Sequence, residues 1–135
     1  MVELTRKNAY APSVSPDGKL IAFFAAEEKK NELVLIPSAG GASVKTFDVS
    51  PNSRFLLFSM ITRWAGDGGL LTYIDNKREV SNIYGLSVRG GTPRPVTSFN
   101  TDTIFSFDWS RDGRHLVVAR GQLSHQIVLF SDLQS

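Results

Sequence analysis

The chain has 135 residues, 41% of them hydrophobic and 10% aromatic, which suits one folded domain with a sizeable core. Its formal net charge is only +2 and its Lys and Arg residues are scattered, so we expect no nucleic-acid partner. The lack of cysteine in the sequence excludes disulfides and thiolate metal sites, and because no run approaches the ~18 apolar residues of a membrane span, we expect no membrane insertion.

The first predicted unit consists of apolar runs separated by turn-forming residues, a pattern typical of β-strands. A tight turn is predicted at Pro16-Asp17-Gly18-Lys19, because proline sets φ at about −65°, aspartate binds backbone amides and glycine accepts positive φ. Strands are predicted over 12–15, 20–26, 33–37 and 43–47, with a charged loop over Glu27–Glu32 and a second turn at Gly40-Gly41.

The second unit repeats this order of segments. Its turn, Asp67-Gly68, begins 50 residues after the first Asp-Gly pair, and in both units a Gly-Gly turn begins 23 residues after the aspartate. Strands are predicted over 61–64, 70–74, 82–88 and 95–99, with a loop region over Asn76–Ser81. A period of this length, kept at both ends of the unit, indicates a repeated four-stranded sheet.

A third Asp-Gly turn, Asp112-Gly113, begins 45 residues after the second. Strands are predicted over 105–109, 115–119 and 127–130, with a loop over Gln122–Gln126, and we expect this unit to lack its outer strand. Residues 2–5 have the character of a strand without a unit of their own. The segment Asn52–Met60 exceeds the repeat, and we predict that it is an inserted, partly buried strand.

The repeated residues follow one pattern, carried by Ser15–Phe23, Asn82-Ile83-Tyr84, Gly90–Pro93, Val96-Thr97 and Phe107–Arg114. They resemble the WD40-like (PD40), TolB-type β-propeller repeat family. The end of the chain, residues 119–133, is similar to the last propeller blades of bacterial serine/threonine kinases and winged-helix regulators. The resemblance implies an all-β fold, a β-propeller of four-stranded antiparallel blades with about three blades in this chain. It also implies a periplasmic or extracytoplasmic location, and we expect residues 1–7, which contain no apolar run, not to be a signal peptide.

On this basis we predict one partial propeller. Its segments are residues 1–10, an outer strand closing another blade; 11–48, the first blade; 49–60, the insertion; 61–99, the second blade; and 100–135, the third blade. Three blades leave two flanks open, because repeat units cover one another's apolar faces. We therefore expect a homodimer, a six-bladed ring in which residues 2–5 of one chain complete the third blade of the other. The alternative is a piece of a longer propeller.

The sequence predicts no catalytic, cofactor-binding or metal-binding residues, and hence no enzyme. A Ser-His-Asp triad needs a base held by hydrogen bonds, whereas His115 follows a turn and His125 lies in a predicted loop. A nucleophile elbow, Gly-x-Ser-x-Gly, does not occur in the sequence.

Calcium binding is the main alternative for the repeated aspartates, Asp17, Asp67 and Asp112. Each has a glycine beside it and no second acid in its turn, so we predict a turn role instead, and Asp102 and Asp108 are isolated as well.

Large aromatic side chains dominate core packing. Since Trp64 and Trp109 occupy equal positions, we predict that they pack between blades rather than bind a ligand.

The predicted function is a non-catalytic binding and assembly module. Loops on a rigid scaffold carry recognition residues, so we expect a protein or peptide partner to meet Glu27–Glu32, Asn76–Ser81 and Gln122–Gln126. The alternative is a sensor or substrate-gating propeller portion of a larger kinase, transcriptional regulator or peptidase.

Overall fold

A computed structural model of the chain describes residues 8–27, 30–49, 61–77, 80–122, 124 and 128. These residues contain ten β-strands and no helix. The strands are β1 (Ala9–Val14), β2 (Leu20–Glu27), β3 (Lys30–Pro37), β4 (Lys45–Val49), β5 (Thr62–Ala65), β6 (Leu70–Lys77), β7 (Val80–Ser87), β8 (Arg94–Pro95), β9 (Thr103–Trp109) and β10 (Leu116–Gly121). Across the described ranges, nothing helical has the length and apolar character needed to cross a membrane.

The strands form three antiparallel sheets in chain order. The first sheet has the order β1-β2-β3-β4 and the second has the order β5-β6-β7-β8. The third sheet consists, within the described residues, of β9 and β10. The predicted all-β fold with four-stranded antiparallel sheets is confirmed.

The three sheets share one register around the Asp-Gly turn. Val14 is paired with Ile21, Trp64 with Leu71, and Trp109 with Leu116 across the first two strands of each sheet. These pairs are separated by the same intervals of 50 and 45 residues as the turns. The repeat in the sequence is therefore also a repeat of backbone pairing, and equivalent positions can be compared directly.

The core lies between neighbouring sheets. Phe24 of the first sheet meets Tyr73 of the second edge to face, with ring centroids 6.4 Å apart. One cluster joins the first two sheets, and another joins the second and third: Ala22, Phe24, Leu33, Leu35, Leu71, Tyr73 and Leu86, then Ile74, Ile83, Ile104 and Phe107. Because both faces of the second sheet are covered, residues 71–75 of β6 are all buried and show no alternation of exposure.

The hairpins that join β2 to β3 and β6 to β7 are longer than the sequence predicts. Glu27 pairs with Lys30, and Lys77 pairs with Val80, so both ladders continue almost to the tips. The predicted loops Glu27–Glu32 and Asn76–Ser81 are therefore wrong, apart from residues 28–29 and 78–79, which lie outside the described residues. Charged and polar residues can continue a backbone ladder when the opposite strand is in register. A prediction based on composition assigns such residues to a loop.

The limits of the first sheet also differ from the prediction. Ala9 and Tyr10 belong to β1, two residues before the expected start of the first blade, and β4 continues to Val49. A bulge between Tyr10 and Ser13, with Ala11 at a φ of 49°, breaks the alternation by which β1 could be recognised. The predictions for residues 2–5 and for Asn52–Met60 lie outside the described residues. The same holds for the strand at 127–130, except that Val128 is exposed.

Candidate functional site

The three Asp-Gly turns are built in the same way. In each turn the glycine N–H donates to the carbonyl oxygen three residues earlier, at 2.8 Å for Gly18, 3.0 Å for Gly68 and 2.8 Å for Gly113. The aspartate Oδ1 accepts the N–H two residues later, from Lys19 at 3.0 Å, Gly69 at 2.8 Å and Arg114 at 3.1 Å. The repeated aspartates therefore serve the turns, as predicted.

A serine strengthens the first and third turns. Ser15 Oγ donates to Asp17 Oδ1 at 2.6 Å, and Ser110 Oγ donates to Asp112 Oδ1 at 2.5 Å. These hydroxyl bonds stabilise the charged carboxylates, and they are the main reason that the pKa of Asp17 and the pKa of Asp112 lie below the ordinary value of 3.8. The second turn has Ala65 at this position and lacks the hydroxyl bond.

These pKa shifts predict an acid-sensitive contribution to stability. Because the folded pKa is lowered, the contribution of Asp17 and Asp112 is present above pH 3.8 and is lost as the pH falls through the lowered folded value. We expect Ser15→Ala to raise the pKa of Asp17 towards 3.8, and Ser110→Ala to do the same for Asp112. Carboxyl NMR titration from about pH 5 to about pH 2 measures this. An Asp17 titration unchanged by Ser15→Ala would contradict the assignment.

Neighbouring turns lie in direct contact. A Cβ added to Gly68 would lie 2.9 Å from Cδ of Pro16 in the first sheet. One added to Gly113 in the third sheet would lie 2.7 Å from Cα of Gly66. Glycine is therefore needed at Gly68 and Gly113, where the turn of the neighbouring sheet leaves no room for a side chain. The second turn reads Ala-Gly-Asp-Gly-Gly where the first reads Ser-Pro-Asp-Gly-Lys, and Gly66 has a φ of +51°, which the proline of the first turn could not adopt.

Both tryptophans bridge two sheets. Trp64 Nε1 donates to Ser13 Oγ of the first sheet at 3.1 Å. Trp109 Nε1 donates to Thr72 Oγ1 of the second sheet at 3.0 Å. Both side chains are part-buried at these contacts, so they lie between sheets, as their equal positions predict.

Trp109→Phe tests the energy of this bridge. The variant keeps an aromatic ring and removes the N–H donor to Thr72, whose side chain is fully buried. We expect the free energy of unfolding to fall by about 1 kcal/mol, the usual net value of one hydrogen bond. Urea unfolding of Trp109→Phe, Thr72→Val and the double variant gives the coupling energy. Fully additive losses would contradict a bond between the two side chains.

Asn82 holds the outer segment of the second sheet. Its Oδ1 accepts the Phe99 N–H at 2.7 Å and the Thr97 Oγ1–H at 2.9 Å, and its Nδ2 donates to the Phe99 carbonyl oxygen at 3.0 Å. The predicted strand at 95–99 is observed only as Arg94–Pro95. Beyond it the Val96 N–H still donates to the Ile83 carbonyl oxygen at 2.7 Å, and the Asn82 side chain then holds Thr97 and Phe99. Sequence reasoning missed this role of Asn82. The signal available in the sequence was an asparagine that lies 15 residues before a threonine.

A second group of contacts ties the second sheet to the third. The Arg120 guanidinium lies 3.9 Å from the centre of the Phe99 ring. Its Nη2 donates to the Thr101 carbonyl oxygen at 2.8 Å and lies 3.1 Å from Asp102 Oδ2. The carbonyl oxygen of Asp102 accepts the N–H of the buried Ser81 at 3.2 Å. Asp102 therefore has a structural role that its isolation in the sequence did not indicate.

A groove of about 350 Å³ lies at the outer edge of the second sheet. Leu70 and Val96 form apolar parts of its lining, while Thr92 and Arg94 are exposed polar residues beside them. The glycine turn 90–91 completes one side. The groove thus combines an apolar lining with a cation, a hydroxyl group and accessible backbone.

No protein-family model and no curated protein matches the chain. Solved structures do match it. A TolB from Agrobacterium tumefaciens is 26% identical, with a TM-score of 0.66, and the match covers 87% of this chain and 40% of that one. The fold is a partial β-propeller. Each sheet described above is accordingly one blade.

Two further structures support the propeller fold. The β-propeller domain of the Trilobed protease from Pyrococcus furiosus, which has an open velcro topology, is 19% identical with a TM-score of 0.60, covering 83% of this chain and 34% of that one. An acylaminoacyl peptidase is 15% identical with a TM-score of 0.62, and the match covers 93% of this chain and 19% of that one. The chain thus spans less than half the length of each structure. The TolB-like resemblance is confirmed for the fold, while the likeness to kinases and regulators stays a prediction.

In the propeller, β1, β5 and β9 are neighbouring inner strands, since β1 contacts β5 and β5 contacts β9. Arg63 of β5 and Asp108 of β9 lie 3.6 Å apart there, with side chains 43% and 73% exposed, so this ion pair contributes little. His115 is exposed beside the third turn, and His125 lies outside the described residues. Within the part of the chain that the structure describes, no three His, Cys, Asp or Glu residues are grouped to hold a metal ion.

The predicted binding loops need revision. Glu32 and Ser81, which were expected in loops, are 8% and 1% exposed and cannot meet a partner. Of the third loop, Gln122 and Ser124 are exposed and the remaining residues lie outside the described ranges. In an up-and-down sheet the first and third turns lie at the same end, so the Asp-Gly turns and the groove beside the Gly-Gly turn share one end of the propeller.

Proposed function

We propose that this propeller is a non-catalytic binding module that holds a peptide or protein partner at the end formed by its Asp-Gly and Gly-Gly turns. The observation that carries the proposal is the groove beside Gly90-Gly91. Its volume of about 350 Å³ falls in the range of ligand pockets. The Gly-Gly turn beside the groove is held in place before a partner binds: the Gly90 N–H donates to the Ser87 carbonyl oxygen at 3.0 Å, and Lys45 Nζ of the first blade donates to the Val88 carbonyl oxygen at 3.1 Å. Such preorganisation reduces the entropy that is lost on binding.

The chemistry of the groove suits one kind of peptide. Leu70 and Val96 accept an apolar side chain, and the exposed Arg94 faces the same space and can pair with a carboxylate. We therefore propose a peptide segment with an apolar residue next to an acidic one. A peptide array of such segments, titrated with the purified chain, supplies the ligand for the test.

Thr92→Trp fills the groove with a side chain at an exposed position, and Arg94→Glu reverses its charge. We expect each variant to weaken binding of the selected peptide by about tenfold or more. Arg89→Glu is the matched control, since Arg89 is exposed near the same turn but does not line the groove. Equal affinity of all four proteins for the peptide, or no binding by any, would overturn the proposal.

A second candidate is a sensor or substrate-gating portion of a larger kinase, regulator or peptidase. The likeness to an acylaminoacyl peptidase, of which the chain covers 19%, favours the peptidase version. A single reading frame that joins this chain to a hydrolase, kinase or DNA-binding domain would support this candidate. A reading frame that holds propeller repeats alone would contradict it.

We also propose that two copies assemble into a six-bladed ring, with residues 2–5 of each chain completing the third blade of the other. Support comes from the three-blade repeat, because blades need neighbours to cover their faces. Light scattering should give twice the mass of 14.9 kDa. Deletion of residues 1–6 should then give monomers or aggregates. A stable monomer of the intact chain would refute the assembly.

A further inference from the structure

The apolar side chains of the groove in the second blade meet over a glycine. A Cβ added to Gly85 would lie 2.9 Å from Leu70 Cδ1 and 3.2 Å from Val96 Cγ2. All three residues line the groove, and Val96 is 39% exposed although it is hydrophobic. An exposed apolar side chain in a concave site favours contact with an apolar group of a ligand.

Two cations lie at the Gly90-Gly91 end of this groove. Arg94 is exposed and lines it. Lys45 belongs to the first blade, and its Nζ would lie 3.1 Å from a Cβ added to Gly90, which also lines the groove. The bond from Lys45 to the Val88 carbonyl oxygen uses one of the three donors of the ammonium group. Positive charge and apolar surface are therefore combined in one small site.

The glycine turn adds backbone donors to these cations. Within the described residues, the N–H groups of Gly91 and Thr92 donate to no acceptor, and both residues are exposed. A Cβ added to Gly91 would meet no atom within 4 Å, so the space beside this backbone is open. Backbone N–H groups of loops are one of the recurring means by which proteins capture the terminal carboxylate of a peptide.

We propose that the groove binds the C-terminus of a peptide or protein partner. The last side chain lies against Leu70 and Val96, and the terminal carboxylate pairs with Arg94 beside the Gly90-Gly91 turn. This inference rests on the proposed binding groove and specifies its ligand: the acidic group next to the apolar side chain is the terminal carboxylate itself.

The geometry of a peptide favours a terminus over an internal segment. At a C-terminus the apolar side chain and the carboxylate belong to one residue, so both can enter the same groove. In an extended internal segment successive side chains point to opposite sides, so an apolar residue and the acidic residue after it point away from each other. The volume of about 350 Å³ is also near the lower end of the range of ligand pockets, which suits a chain end.

Paired short peptides test this inference. Each pair is N-acetylated and ends in leucine, valine or phenylalanine, with a free carboxylate in one member and an amide in the other. We expect amidation to weaken binding to the purified chain by about tenfold or more, because it removes the charge-assisted hydrogen bonds to Arg94. A third peptide, also amidated, has an aspartate directly after an internal leucine and should bind no better than the amide.

Arg94→Gln identifies the group that reads the carboxylate. We expect it to weaken binding of the free acid by about tenfold and to leave the amide unchanged, as a double-mutant cycle between protein and peptide measures. Arg89→Gln is the matched control, since Arg89 is exposed near the same turn but does not line the groove.

Three outcomes would contradict the inference. Equal losses for acid and amide in Arg94→Gln would overturn recognition of the terminal carboxylate. Equal affinity for acid and amide, together with binding of the internal aspartate peptide, would also overturn it and would leave the proposed groove standing. Binding of none of the peptides, the internal aspartate peptide included, would overturn both.

Discussion

Gly113→Ala is expected to lower the free energy of unfolding by about 2–4 kcal/mol. Gly113 has a φ of +68°, where a Cβ is strained, and the added atom would lie 2.7 Å from Cα and 2.9 Å from N of Gly66. Both neighbours are backbone atoms of the adjacent turn, so neither can move without shifting the second blade. The loss combines backbone strain with the separation of two blades.

Gly18→Ala is the matched control for this prediction. Gly18 has nearly the same φ, +73°, and the same place in the first turn, but an added Cβ meets no atom within 4 Å. Only the conformational cost applies there, about 1–2 kcal/mol. Urea unfolding of the two variants separates strain from contact. Equal losses would show that the second and third turns do not restrain each other.

Asn82→Ala is expected to cost about 2–4 kcal/mol, because it removes three part-buried hydrogen bonds, each with a net value of about 0.5–1.5 kcal/mol. The substitution removes the acceptor for the Phe99 N–H and the Thr97 hydroxyl, and the donor to the Phe99 carbonyl oxygen. Asn82→Asp keeps the acceptor oxygen and loses only the donor, so its loss should be smaller.

Hydrogen exchange of the Phe99 amide reports this effect locally, alongside urea unfolding. Asn100→Ala, at an exposed position one residue beyond Phe99, should change stability by less than about 0.5 kcal/mol. Val96, which lines the proposed groove, belongs to the segment that Asn82 holds, so peptide affinity should fall with Asn82→Ala as well. Unchanged protection of the Phe99 amide would contradict the role assigned to Asn82.

The binding proposal and the assembly proposal use different parts of the propeller. The groove is formed by the second blade alone, at its outer edge. The proposed ring depends instead on residues 2–5 of each chain. The two proposals can therefore fail separately, since Thr92→Trp addresses the groove and deletion of residues 1–6 addresses the assembly.

The sequence by itself determined the repeat and the chemistry of its turns. Proline, aspartate and glycine impose their backbone preferences within a few residues, so the Asp-Gly turns and the strands after them could be predicted correctly. The equal positions of Trp64 and Trp109 also indicated packing between blades, because a position that recurs in each repeat has a similar environment in each repeat.

Only the tertiary structure decided which residues meet across blades and where strands end. The hairpin tips at Glu27 and Lys77 continue the ladder because the opposite strand is in register. Their charged side chains had led to the prediction of loops there. Gly113 meets Gly66 across 47 positions of sequence, and Asn82 binds Phe99 across 17. Such contacts depend on how the sheets and their outer segments are placed against one another, and local preference contains no information about that placement.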